Sequence, residues 1–191
     1  MEGYHSECLI FNKTLQRSEQ MSHLGAPVQI AYLVSDIFEG IEKWIKNFGS
    51  GPFFISEHVP IKNIFYRGYP SKLDITVAYA QWGSVMIELI QNNNNEPSVM
   101  TELVALKKGV FHHVAFFVED LNLSSNRLKN QGYELAMTGQ AGDNRFQFFD
   151  ALDKMGHFIE IYEPVESLVD LYERVRTASI NWGGSNPIRP R

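Results

Sequence analysis

The chain is short of cysteine and has no excess of basic residues, and both shortages limit what it can be. Only one of its 191 residues is a cysteine, Cys8, so a single chain cannot form an internal disulfide. Its 17 lysines and arginines stand against 22 aspartates and glutamates, which gives a formal net charge of -5. Domains that bind nucleic acid usually carry a basic stripe that neutralises phosphates, so nucleic acid is not an expected partner.

Long hydrophobic runs are also missing. No uninterrupted apolar run approaches the roughly 18 residues that a membrane-spanning helix needs, and the first residues lack the basic start and apolar core of a secretory signal. We therefore expect a cytoplasmic protein with no membrane partner. A lone thiol near a chain end is more often incidental than catalytic, and we interpret Cys8 in that way.

What the chain does contain is the composition of a globular protein and an internal repeat. Hydrophobic residues make up 44% and charged residues 20% of the chain, which is typical of a soluble folded domain. Residues 29–36 read QIAYLVSD and residues 113–120 read HVAFFVED. Both segments are rich in the β-branched and aromatic residues of strands, and each ends at an aspartate that can cap a helix.

Each repeated strand is followed by the same series of elements. Apolar residues at helical spacing predict a helix over 37–48 and a second one over 121–131, each ended by a glycine. Two further strands fit behind each helix, and each unit then closes on one more strand. The expected strands after the helices lie near 53–59, 73–81 and 85–90 in the first unit, and near 133–138, 145–149 and 157–162 in the second.

The pattern therefore predicts an α+β fold of two tandem βαβββ modules, residues 26–91 and 110–163, within one domain over 26–163. The first module is longer, and we assign its extra length to an aromatic loop over 61–68. Residues 1–25 are expected to form an N-terminal arm. Residues 164–191 are expected to form a helix that packs on the sheet, followed by a poorly ordered tail over 183–191.

Four polar residues occupy positions that the repeat relates. Gln29 and His113 lie in the first strands, and Glu88 and Glu160 lie in the closing strands, all among apolar neighbours. An ionised carboxylate enters an apolar interior only if something compensates for its lost hydration. A divalent ion would do so, and this set of donors suits Zn²⁺, Ni²⁺, Co²⁺ or Mn²⁺.

For each of the four residues taken alone, a plain structural role stays open. A lone glutamate in a strand commonly faces solvent, and a lone histidine is commonly a hydrogen-bonded structural residue. Strand alternation also separates His112 from its neighbour His113, and it predicts that the His112 side chain points away from the four.

At these residues the chain resembles the vicinal oxygen chelate superfamily, which includes glyoxalase I, methylmalonyl-CoA epimerase, extradiol dioxygenases and bleomycin resistance proteins. The resemblance covers residues 27–163 and is carried by the two Ala-x-x-Val-x-Asp strand ends and the two Ile-Glu strands. The phrases over 51–54 and 66–68 are similar to the glyoxalase-4 branch. The resemblance implies a U-shaped mixed sheet (the glyoxalase-like fold), a homodimer, and a metal held by Gln29, Glu88, His113 and Glu160.

The resemblance further implies a metal-dependent lyase or isomerase of the glyoxalase I or acyl-CoA epimerase type. Such an enzyme removes a proton next to a metal-polarised carbonyl of a small-molecule substrate. Glu160 would be the base, with Glu88 as its counterpart on the opposite face. Arg67, Arg145 and Tyr162 are the candidate substrate-binding residues, although surface or packing roles stay open for each.

Two other functions remain open. A metal-free binding protein of the bleomycin-resistance type would only hold a ligand in the trough, and the presence of all four potential metal ligands weighs against it. An extradiol dioxygenase requires two histidines and a carboxylate around Fe(II). Gln29 stands where one of those histidines is needed, so this function is the less favoured of the two.

Overall fold

A computed structural model describes residues 24–103 and 110–191, so the expectations for Cys8 and for most of the N-terminal arm lie outside the described residues. The strands are β1 (Gln29–Leu33), β2 (Phe53–Ser56), β3 (Ile61–Tyr66), β4 (Tyr69–Pro70), β5 (Ile75–Trp82), β6 (Val85–Asn92), β7 (Val110–Phe117), β8 (Glu134–Ala141), β9 (Asn144–Asp150), β10 (Phe158–Tyr162) and β11 (Ile188–Pro190). The helices are α1 (Ile37–Phe48), α2 (Val99–Leu103), α3 (Leu121–Asn130), α4 (Leu152–Met155) and α5 (Glu166–Ser179).

All of these strands join in one mixed sheet with the order β11-β2-β5-β6-β1-β7-β10-β9-β8-β3-β4. Within each repeat the first strand pairs in parallel with the closing strand, β1 with β6 and β7 with β10. The two repeats meet at the centre of the sheet, where β1 and β7 pair antiparallel. The predicted α+β fold with its large mixed sheet is therefore confirmed.

Helices α1 and α3 lie on the outer face of the sheet, and each begins at the predicted aspartate. The side chain of Asp36 accepts a hydrogen bond from the Glu39 amide at 2.8 Å, and that of Asp120 accepts one from Leu123 at 2.8 Å. Their buried faces pack on β5 and β6 and on β10 and β8 respectively. The inner face is thus left for the functional site, and no helix within residues 24–103 or 110–191 is long and apolar enough to cross a membrane.

The prediction of an aromatic loop over 61–68 is wrong, because these residues form most of a β-hairpin that consists of β3 and β4. Strand β3 pairs antiparallel with β8 at the far end of the second module. Alternation does not show this strand, since its register shifts between Lys62 and Phe65 and Asn63 has a left-handed φ of 56°. The buried Ile64 therefore falls three residues after Ile61, which is not a strand spacing.

The last part of the chain returns to the first module. Helix α5 packs on β5 and β6, where Leu168, Leu171 and Val175 join the apolar cluster of the inner face. Strand β11 then pairs in parallel with β2 at the edge of the sheet. The expectation of a poorly ordered tail over 183–191 is wrong, because a three-residue edge strand is held by backbone pairing and leaves little pattern in the side chains.

Packing of this tail on the first module depends on Gly51, which lies against the indole of Trp182. A Cβ at position 51 would overlap that ring, whereas a Cβ at Gly183 would meet no atom within 4 Å. We expect Gly51→Ala to lower the free energy of unfolding by about 1 kcal/mol or more, as overpacking does, and to speed hydrogen exchange of the Phe53 amide, which donates to the Pro187 carbonyl. Gly183→Ala is the matched control, and equal stabilities of the two variants in urea denaturation would contradict this packing.

Candidate metal and substrate site

Four polar side chains from four central strands meet on the inner face of the sheet. Gln29, Glu88, His113 and Glu160 lie on β1, β6, β7 and β10, with exposed fractions of 3%, 8%, 1% and 7%. His113 lies at their centre. Its Nε2 atom is 3.0 Å from Glu160 Oε2, 3.5 Å from Glu88 Oε2 and 3.3 Å from Gln29 Oε1.

The strand registers explain why a repeat in sequence becomes a cluster in space. In the first module Ala31, two residues after Gln29, is the partner of Glu88 across β1 and β6. In the second module Ala115, two residues after His113, is the partner of Glu160 in the same way. Both alanines are fully buried, so their small side chains leave room for the four polar groups between them.

The arrangement fits a divalent metal ion. Glu88, His113 and Glu160 each offer a ligand atom, and these atoms lie within 4.8 Å of one another. Ligands about 2.1 Å from a common ion and at right angles to each other stand about 3 Å apart, close to the spacing around His113. One imidazole nitrogen and three oxygen donors suit the intermediate ions Zn²⁺, Ni²⁺, Co²⁺ and Mn²⁺.

Burial dominates the electrostatics of the cluster. It raises the pKa of Glu88 to about 8, helped by the nearby Glu160 and opposed by a hydrogen bond from Tyr79 and by Arg191. Burial likewise raises the pKa of Glu160 to about 8 and lowers the pKa of His113 to about 3. Near neutral pH the side chains of the metal-free cluster are thus favoured in their uncharged forms rather than as ion pairs. A bound cation would favour the ionised carboxylates instead, because it displaces the protons of the carboxyl groups.

The expectation that His112 points away from the cluster is wrong, because β7 contains a bulge at that residue. Ala31 pairs with His113 and Tyr32 pairs with Phe111, so His112 is an extra residue that turns inward. Its ring is fully buried and packs edge-on against Phe148. Strict alternation of side chains cannot reveal a bulge, and the sequence offers no other signal for this placement.

His112 fixes the state of the His113 ring. Nε2 of His112 lies 3.3 Å from the Val99 carbonyl, which can only accept, so this nitrogen carries the hydrogen. Nδ1 of His112 is then an acceptor, and it receives a hydrogen bond from Nδ1 of His113 at 2.8 Å. The lone pair of His113 is therefore on Nε2, directed at the carboxyl groups, which is the form that a metal needs.

A cavity of about 90 Å³ opens beside the four residues. Its walls are mostly apolar and come from β3, β5, β6, β8, β9, α2 and α5, and the polar side chains that line it include those of Tyr79, Tyr162 and Arg191. Tyr162, one of the candidate substrate residues, is buried, and its hydroxyl lies 2.5 Å from that of Tyr172. Sequence reasoning missed Tyr79 and Arg191; the position of Tyr79 in a strand flanked by apolar residues was visible, but that of Arg191 was not.

The two arginines named as substrate residues lie elsewhere. Arg67, in the turn between β3 and β4, is bound to Glu102 at 3.0 Å and to Asp150 at 2.6 Å. Arg145 is half exposed and lies 3.2 Å from Glu163. Neither residue lines the cavity. The Arg67 contacts instead hold the hairpin of β3 and β4 to α2 and to the end of β9. We call this hairpin the bridging hairpin, because it belongs to the first module and pairs with β8 of the second.

Comparison with known proteins places these features in a family. The model of the Glyoxalase/Bleomycin resistance protein/Dioxygenase superfamily, in its glyoxalase-4 form, matches residues 28–149, which is more than half of the chain. No curated protein matches the chain. The family match includes Gln29, Glu88 and His113 and ends before Glu160.

Solved structures share the fold at low sequence identity. Methylmalonyl-CoA epimerase from Mycobacterium tuberculosis is 18% identical with a TM-score of 0.54, over 78% of this chain and 93% of that one. A hypothetical protein from Bacillus halodurans is 15% identical with a TM-score of 0.56, over 74% and 95%. A variant of Streptomyces coelicolor methylmalonyl-CoA epimerase in complex with 2-nitronate-propionyl-CoA is 14% identical with a TM-score of 0.54, over 74% and 99%. At such identities the likeness shows the fold alone.

The buried carboxyl groups make the stability of the metal-free protein depend on pH. Their pKa values are raised in the folded state, so folding favours their protonated forms, and this stabilisation is lost as the pH rises through about 8. His113, whose pKa is lowered, acts in the opposite sense only below its ordinary value of 6.5. Between pH 6.5 and 8 we therefore expect the free energy of unfolding to fall by about 1 kcal/mol per pH unit for each proton that a carboxyl group releases on unfolding.

Urea denaturation of metal-free protein across that pH range measures this effect. Glu88→Gln should flatten the slope, since one titrating group is removed, while Glu39→Gln on the exposed face of α1 should leave it unchanged. A slope that is the same in all three proteins would contradict the assignment.

Removal of the His112 acceptor should weaken metal binding without removing a ligand. We expect His112→Phe to lower the affinity for Zn²⁺ about 10- to 100-fold, the usual effect of losing a partner that orients a metal-bound histidine. Calorimetry measures the affinity, and nitrogen NMR of labelled histidine reports whether His113 loses its single tautomer. His58→Phe is the control, because His58 is exposed and pairs with Asp74; equal affinities in the two variants would rule out the role.

Proposed function

The chain belongs to the glyoxalase/bleomycin resistance/dioxygenase superfamily, also called the vicinal oxygen chelate superfamily, and we propose that it is a metal-dependent enzyme that removes a proton from the carbon next to a carbonyl. The observation that carries this proposal is the buried cluster of Gln29, Glu88, His113 and Glu160 beside a cavity. Burying two carboxyl groups costs stability unless a cation or a proton offsets each charge. A structural role alone gives no reason to maintain that cost.

These four residues would hold the ion in the proposed enzyme. When bound, the ion polarises a substrate carbonyl and offsets the negative charge that develops on its oxygen. Gln29 would contribute an amide oxygen, which adds no charge, so the total charge of the ligands matches that of a divalent ion. His113, already held by His112 in the correct tautomer, needs no rearrangement to bind.

Proton transfer falls to the two glutamates. We assign Glu160 as the base, with Glu88 as its counterpart, because they reach the cavity from strands on opposite sides of the β1–β7 pair. The carboxylate that acts as the base would have to be released from the ion, or bound only weakly, in the working state. In this apolar site a released carboxylate is a stronger base than one in water, which favours abstraction of a weakly acidic carbon-bound proton. With one carboxylate on each side, a proton can leave one face of the substrate and return to the other.

The cavity restricts what part of the substrate can enter. Its volume of about 90 Å³ is well below the roughly 300–1,000 Å³ of typical small-molecule sites. A short acyl group fits this space, and a larger carrier would remain outside. Tyr162 would contact the acyl group, whereas the ion pairs of Arg67 and Arg145 remove both from the proposed substrate contacts.

An acyl thioester of the epimerase type is our first choice of substrate. The two epimerase structures with this fold act on, or hold, acyl-CoA compounds according to their names. A hemithioacetal of the glyoxalase type is the second choice, since it offers the same reacting unit of a carbonyl next to a carbon-bound proton.

Metal content is the first test. We expect wild-type protein to hold one transition-metal ion per chain and His113→Ala to hold almost none, with His58→Ala as a control that keeps the ion. Both variants remove one imidazole, but only His113 lies in the cluster. Absence of metal from the wild type, even after reconstitution with Zn²⁺, Ni²⁺, Co²⁺ and Mn²⁺, would favour a protein that only binds a ligand.

Solvent exchange is the second test. Metal-loaded protein in deuterated water should replace the proton next to the carbonyl in acyl thioesters or hemithioacetals, with the label followed by NMR or mass spectrometry. Glu160→Gln should slow exchange by about 100-fold or more, the typical loss when a general base is removed. An unchanged rate in Glu160→Gln would remove this residue as the base, and Glu39→Gln controls for loss of a surface charge.

A further inference from the structure

A single permanent positive charge stands at the cavity. Among the described residues that line it, Arg191 is the only arginine or lysine. It follows directly after β11, and its amide donates a hydrogen bond to the Ile55 carbonyl at 3.0 Å. The residue is exposed overall, yet its side chain lines the cavity, so the guanidinium lies at the boundary between the solvent and the site.

Strand β11 determines the direction in which the Arg191 side chain extends. Strand β11 pairs with β2, and β2 pairs in turn with β5, so that Phe54 lies between Arg189 and Tyr79. The guanidinium carbon of Arg191 lies 5.5 Å from the centre of the Tyr79 ring, which is within the range of a cation–π contact. Tyr79 is buried beside Glu88, so the side chain extends over β2 toward the carboxyl cluster.

The guanidinium of Arg191 forms no ion pair with an acidic side chain of the described residues. Arg67 and Arg145 each lie within 4.0 Å of a carboxylate, whereas no carboxylate among residues 24–103 and 110–191 lies that close to Arg191. An unpaired guanidinium presents a planar fork of donors that matches an anionic oxygen group.

We propose that Arg191 anchors an anionic oxygen group of the ligand, a carboxylate or a phosphate, at the mouth of the cavity. This residue then selects substrates that carry a negative charge close to the reacting carbon. The selection of substrates by Arg191 rests on the proposed function, because it presupposes the proposed reaction. The binding of an anion by Arg191 does not depend on that reaction. Anion binding is therefore measured without turnover.

Calorimetric titration of the metal-free protein with malonate tests the proposal, because its outcome then does not depend on whether the cluster binds a metal. We expect Arg191→Gln to weaken malonate binding about tenfold or more, as loss of a charge-assisted pair of hydrogen bonds does. Arg191→Lys should recover part of the affinity, since it keeps the charge but loses the fork. Arg189→Gln is the matched control, because Arg189 lies two residues earlier, over Phe54, and does not line the cavity.

Parallel titrations identify the source of the charge. Malonamide, which is neutral, should bind wild type and Arg191→Gln alike, and inorganic phosphate in place of malonate shows which anion the site prefers. Hydrogen exchange at the Phe53 amide confirms that β11 stays paired in each variant. Equal malonate and phosphate affinities in wild type and Arg191→Gln would overturn the proposal, whatever the exchange experiment shows.

Discussion

The burial of two carboxyl groups beside one imidazole is the constraint on which the rest of the molecule depends. The side chains of Glu88 and Glu160 fit where the modules meet, at the β1–β7 pair, because Ala31 and Ala115 leave space there and because His113 faces both. The same burial raises the pKa of both glutamates and lowers that of His113. A site assembled in this way suits a divalent cation, since one such ion can offset both carboxylate charges at once.

Much of the fold and of the candidate site was predictable from the repeat, because equivalent positions in the two modules carry similar types of residue. Recurrence of strand, aspartate cap and closing Ile-Glu strand is enough to place the two helices and bring Glu88 toward Glu160. The bulge that turns His112 inward was not predictable, since alternation assumes an unbroken strand. Strands β3 and β11 were missed for a related reason: each is defined by a partner far away in the sequence, and short edge strands carry little pattern of their own.

Segments outside the repeat make the symmetric cluster asymmetric. Strand β11 pairs with the first module and brings Arg191 near Glu88, which also lies beside Tyr79, while burial alone raises the pKa of Glu160. The two carboxyl groups are therefore chemically distinct even though the backbone positions that carry them are equivalent. This difference gives the proposed reaction a physical basis for assigning separate roles to two residues of one type.

The bridging hairpin has a consequence for the shape of the whole sheet. Strands β2 and β3 stand eight places apart in the strand order, which in a flat sheet is about 38 Å. Residues 57–60 alone join them, and the five steps from Ser56 to Ile61 span at most about 18 Å when fully extended. Chain length alone therefore forces the sheet to curl, and this covalent tether, more than any single contact, sets how wide the trough can open around the four polar residues.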